Sequence, residues 1–187
     1  TDWKYHNDCA DIVFTSTRGG DDFKRTFLEA FIRPGLDPRN WTSRASYAAH
    51  GIHLSGPDEL SIFVQHNCGY STSHIRRYTM RVDGFISVQA PYGGGQMVTK
   101  PFRFKGSRLT VNYASSAGGG LWVEIQDAAG QPVEGFAEAD CPEIIGDQTA
   151  RTVSWKGGSD VSSLAGKAIR LRFVMRDADL FSLQFVD

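Results

Sequence analysis

Twenty-one acidic residues, five histidines and three cysteines give this chain material for acid–base, metal or thiol chemistry. Their spacing decides whether any set works together. Glycoside cleavage needs two carboxyl groups about 5–10 Å apart across a sugar-sized cleft. With so many acids some pair at that distance is expected by chance, so Asp8 with Asp11, or Glu138 with Asp140, says little without a cleft. The acidic segment 138–147, EADCPEIIGD, places Asp140, Glu143 and Asp147 where they could offer oxygen ligands to a structural Ca²⁺. It lacks the regular alternation of a dedicated calcium loop, and a solvated loop with Cys141 tucked inward accounts for the same residues. No cofactor follows with certainty. His6, His50, His53, His66 and His74 form no helical HExxH pattern, and there is no GxSxG elbow for a serine nucleophile. Cys9, Cys68 and Cys141 lie too far apart for a zinc or redox motif. They read as three buried thiols, or as one disulfide and a free thiol if the protein is exported.

Aromatic residues carry the clearer signal. A pyranose has an apolar C–H face, and Trp or Tyr gives it a flat amphipathic platform. Trp41, Tyr47, Tyr70, Tyr78, Tyr92, Trp122 and Trp155 are the candidates. Trp122 falls opposite the row Leu121, Val123 and Ile125 and is expected to point out of its sheet. Tyr92, between Pro91 and Gly93, is expected on an accessible loop, whereas Trp155 shares a row with Val153 and is expected in the core.

The elements that must position these residues are strands. Segments 60–66, 78–90, 108–115, 121–127, 151–157, 168–178 and 180–187 are rich in β-branched and aromatic residues. In RLTVNY, Leu109, Val111 and Tyr113 share one face; in AIRLRFVM, Ile169, Leu171, Phe173 and Met175 do, with Arg170 and Arg172 opposite. That alternation predicts one face on a core and one in water. Turns are expected at 93–95, 118–120, 128–130 and 157–158, all glycine-bearing. A single helical turn, begun at Asp160 and ended at Gly166, is the one helical expectation. Toward the start, 11–35 reads as a strand, a turn at Gly19–Gly20 and a second strand from near Phe23, followed by a long loop over 33–52.

A net charge of -1 with scattered Lys and Arg, densest at Arg76–Arg77, gives no electrostatic footprint for nucleic acid. No apolar run approaches the ~20 residues of a membrane-spanning helix. The chain starts at Thr rather than Met, which suggests a processed or cut chain or a fragment, and removal of a signal peptide would leave the same trace; a secreted or extracytoplasmic location is expected.

The order of these segments resembles a known arrangement. Residues 11–52, with Trp41, Arg44, Tyr47 and Gly51, look like the last blade of the five-bladed β-propeller in glycoside hydrolase families 32 and 43. The stretch through WKGGSDVSSLAGKAIRLRFVMRDADLFSLQF is similar to the β-sandwich that follows such propellers. The resemblance implies residues 1–56 as a propeller-type terminal blade and closing loop, and 57–187 as an antiparallel, jelly-roll-like β-sandwich. The family's catalytic acids come from earlier blades and its opening WMNDPNG-like motif is absent here, so no catalytic residue carries over. What carries over is a contribution of Trp41, Arg44 and Tyr47 to a sugar pocket. The expectation is a non-catalytic carbohydrate-binding or accessory module, binding polysaccharide through Trp41, Arg44, Tyr47, Tyr92 and Trp122. The alternatives are a small self-sufficient glycoside hydrolase or lyase, and a packing module without ligand that self-associates or seats on a propeller.

Overall fold

The computed structural model describes residues 9–41 and 46–187. The protein is all-β and antiparallel, with sandwich-like packing, as its alternation predicts. It divides into two compact units, residues 1–80 and 81–187. Among the described residues, no helix is long and apolar enough to cross a membrane.

In the first unit, β1 (Ile12–Val13) pairs with β2 (Ala30–Ile32). The second strand thus starts well after Phe23; Lys24 makes only an isolated bridge to Ser16. Asp37 caps a 3-10 turn over Pro38–Asn40, accepting from Arg39 N–H. A four-stranded sheet follows: β3 (Tyr47–Ala48), β4 (His53–Gly56), β5 (Glu59–His66) and β6 (His74–Arg81), with the other three strands all pairing with β5. Alternate residues of β5, Ile62, Val64 and His66, are buried. Ile32, Ile62 and Val64 form a small core with Ile12, Phe31, Tyr78 and Met80 against it.

The second unit is built on β7 (Val88–Ala90), β8 (Gly95–Val98), β9 (Arg108–Asp127), β10 (Asp147–Thr152) and β11 (Ile169–Val186). They form one sheet in the order β10-β9-β11-β7, with β8 also on β11. The glycines at 118–120, expected to turn the chain, instead lie inside β9, and the two expected C-terminal strands are one continuous β11. Ser115 pairs with Ala178 and Gly120 with Arg176, so Ser116 to Gly119 stand opposite Asp177 alone. Asp177 absorbs the mismatch at φ 43°. This bulge bends both long strands. The first half of β9 and second half of β11 make one layer; their other halves make the second. Leu109, Val111, Tyr113 and Leu180 from the first layer meet Val123, Ile125, Leu171 and Phe173 from the second in a single core. Trp155 joins that core, donating its indole N–H to Val123 O at 2.8 Å. The single turn expected near Asp160 is present over Ser162–Leu164, and Asp160 accepts from Ser162 N–H at 2.8 Å.

The expectation of three buried thiols is corrected. Cys141 is buried, Cys68 is half-buried and Cys9 is exposed, and all three are free. Burial pushes the Cys141 thiol above its ordinary range, which makes it unreactive.

Candidate functional site

Two of the aromatics chosen from sequence flank the bend in the second unit, Tyr92 on the turn tied to it and Trp122 on β9 just past it. Pro91 O accepts from Gly94 N–H at 2.8 Å and from Asp177 N–H at 3.1 Å, which ties the 91–94 turn to the bulge of β11. Tyr92 at the tip of that turn is 72% exposed. Its ring lies over bare backbone: a Cβ built on Gly118 would be 3.8 Å from Tyr92 Cε2. Two residues on, Gly120 is the strand partner of Arg176, whose guanidinium carbon lies 6.0 Å from the ring centre of Trp122. Trp122 sits on the row opposite the core and is half-buried. Arg176 also approaches Glu143, Nη2 to Oε1 at 3.4 Å. The rim therefore carries Tyr92, Trp122, Arg176 and Glu143, with Gly118 exposed beside Tyr92 and Gly119 and Gly120 buried under β11 and Glu143.

Next along the same row, Glu124 is 5% exposed. Burial acts to raise its carboxyl, but hydrogen bonds from Gln126 Nε2 (2.8 Å) and Glu138 N–H (3.1 Å), with Arg172 beside it, outweigh that and hold it below its ordinary value. Arg172 Nη1 lies 3.4 Å from Glu124 and 2.9 Å from Glu138, so one guanidinium serves both acids and pins the 3-10 turn Glu138–Asp140 onto β9. A glycosidase pair needs one acid that holds a proton and an open gap between the two. Glu124 is a buried carboxylate bonded on both oxygens, which suits a structural clasp.

The carboxylates considered for calcium go to three different cations. Asp140 pairs with Lys156 at 3.2 Å, Glu143 with Arg176 at 3.4 Å and Asp147 with Arg81 at 2.6 Å. No group of three or more metal-capable side chains comes together among the described residues.

In the first unit, Trp41 is 56% exposed and its indole N–H donates to Gly35 O at 2.8 Å, which fixes the ring. Tyr47 is exposed on β3. Arg44, like His6 and Asp8, lies outside the described residues. Beside Trp41, Arg39 grips Asp37 through Nε and Nη2, both at 2.9 Å, and these bonds push the Asp37 carboxyl down to about 2.

A polar network that sequence reasoning missed holds this turn. Asn40 Nδ2 donates to Pro34 O at 2.9 Å and to His66 Nδ1 at 2.7 Å, while Asn40 Oδ1 accepts from Asn67 N–H at 2.8 Å. The backbone carbonyl and backbone N–H fix the orientation of the amide. His66 Nδ1 must then be the acceptor, so its proton is on Nε2 and is donated to Tyr78 Oη at 2.8 Å. No pattern of spacing marks Asn40 and His66 as partners, since they meet only when the turn folds onto β5.

Comparisons with protein-family models, with curated proteins and with solved structures returned no match to this chain.

Proposed function

We propose that the chain is a non-catalytic carbohydrate-binding accessory module, of the kind that accompanies a glycoside hydrolase outside the cell. The observation that carries this reading is the rim of the second unit, where an exposed Tyr92 stands on a turn anchored to the strand bulge at Asp177, and the neighbouring Arg176 lies 6.0 Å from the ring centre of Trp122. A sugar ring would lay its apolar face on Tyr92 or Trp122, and Arg176 and Glu143 would take its hydroxyls. The acids Glu124 and Glu138, committed to Arg172, support binding rather than bond cleavage.

The test is binding to a panel of soluble polysaccharides. Tyr92→Ala and Trp122→Ala are each expected to weaken binding about tenfold, the loss of one stacked aromatic face. Both variants binding like the parent chain would sink the reading, and turnover of a polysaccharide by the parent chain would replace it with an enzymatic one.

A second reading has its own support. The first unit exposes Phe23, Leu28, Leu36, Leu54 and Ile75, each more than half accessible. Scattered apolar residues are normal, but this number on a small unit favours packing against another protein body. In that case Leu28→Ser with Leu54→Ser reduces self-association of the full chain in sedimentation, with no change in sugar binding.

A further inference from the structure

The stretch after β8 carries Lys100, Arg103 and Lys105, and the approach to β11 carries Lys167 and Arg170. The fold joins them. Phe102 and Ile169 exchange both backbone hydrogen bonds at 2.9 Å. Thr99 N–H donates to Leu171 O at 2.9 Å and Gly166 N–H to Phe104 O at 3.0 Å. Residues 99–104 therefore run antiparallel beside 166–171. Phe104, Ile169 and Leu171 are buried and Phe102 packs on the same core. Lys100, Arg103, Lys105 and Lys167 are exposed and Arg170 is half-buried. Segments 100–105 and 167–170 thus hold these five cations and no carboxylate.

Elsewhere in this unit cations meet acids, as in Arg81–Asp147, Lys156–Asp140, Arg172–Glu138 and Arg176–Glu143. Among the described residues the ribbon's cations form no ion pair. Arg103 donates to Gly166 O, and Arg170 Nε to Ala128 O at 3.2 Å. Asp127, across β11 from the ribbon opposite Ile169, spends Oδ1 on the N–H groups of Ala129 and Gln131, both at 2.9 Å.

We infer that this ribbon is a docking surface for a linear anionic polysaccharide, one bearing carboxylate or sulfate groups along its length. The two extended segments are joined along their length by backbone hydrogen bonds, so their exposed cations form an elongated charged strip rather than a pocket. A strip suits a polymer, which neutralises several mutually repelling cations at once and releases their counterions. Phe102 and Phe104 are turned to the core, so the ribbon has no aromatic on which a nucleic acid base could stack. Arg170 and Arg176 mark the two ends of this part of β11, about 20 Å apart at the usual rise per residue, so the ribbon is separate from the Tyr92 rim and rests on none of its residues.

The full chain is titrated at low salt with dextran sulfate, with unmodified dextran and with single-stranded DNA of similar length. Dextran sulfate is expected to bind and unmodified dextran not to bind at this surface. The variant Lys100→Gln/Arg103→Gln/Lys105→Gln should bind dextran sulfate about tenfold more weakly, with a shallower salt dependence. The control Arg151→Gln should leave it unchanged, and Lys100→Arg/Lys105→Arg should keep it, which separates loss of charge from loss of fold. Dextran sulfate binding that survives the triple neutralisation overturns the inference. So does DNA bound more tightly than dextran sulfate, which would assign the ribbon to nucleic acid instead.

Discussion

Gly119→Val is expected to destabilise the second unit by about 3 kcal/mol or more, lowering its melting temperature by roughly 10–20 °C. A Cβ at this position would lie 2.4 Å from Asp177 O and 2.5 Å from Arg176 O. Both are backbone atoms of β11, held by strand pairing on either side of the bulge, and neither can move without opening the bend. Gly118→Ala is the internal control, since its nearest neighbour would be Tyr92 Cε2 at 3.8 Å, an ordinary contact. Thermal unfolding followed by near-ultraviolet circular dichroism reads both. Equal melting points for the two variants would show that the bend tolerates a side chain, and the account of how the layers form would fail.

Acid is expected to loosen the first unit through His66. Burial holds this imidazole below its ordinary value of 6.5, helped by the positive charge of Arg76 and by His74, with Asp37 acting weakly the other way. The geometry gives the reason: a second proton would have to go on Nδ1, which already faces the N–H of Asn40 at 2.7 Å. Between the depressed folded value and 6.5, the unfolded chain holds a proton that the folded chain refuses. Stability from this group is therefore complete above 6.5 and lost as pH falls through that window, by up to about 1.4 kcal/mol per pH unit. His74 stacks on His66 with ring centres 5.6 Å apart, so the comparison must be with a variant at position 66. His66→Gln should cost about 2–3 kcal/mol at neutral pH and remove most of this slope. Amide hydrogen exchange of β5 and β6 in the full chain measures both. An imidazole at position 66 that titrates at or above 6.5 by NMR would falsify the tautomer assignment and the acid sensitivity together.

The strands were legible wherever one face is dry. Leu109, Val111 and Tyr113 and the row from Ile169 to Met175 are buried as alternation requires, and Trp155 is a core residue. The error at 118–120 has a physical source. Glycine is permissive, and the same three residues serve a reversal or a bulge; only the partner strand, with Asp177 at positive φ, decides which. Tyr92 was legible as an accessible loop residue because Pro and Gly flank it. Arg176 was only partly so, since it continues the outward row of Arg170 and Arg172 but gains meaning from Trp122 on the neighbouring strand. The cations of 100–105 stand close in sequence, yet Lys167 and Arg170 join them only through strand pairing. Asp140, Glu143 and Asp147 looked like one acidic group and are drawn apart by three basic partners from distant segments.

The two long strands have a thermodynamic consequence. Each runs through both layers, so the halves of the sandwich share a backbone and a single interior. Peeling one half away would strip pairing from the other, which leaves the second unit little room for partly open states and makes its unfolding cooperative. Its outermost pair, Arg108 with Val186, closes a loop over most of the unit, so this cooperativity comes with a large loop-closure entropy and slow folding.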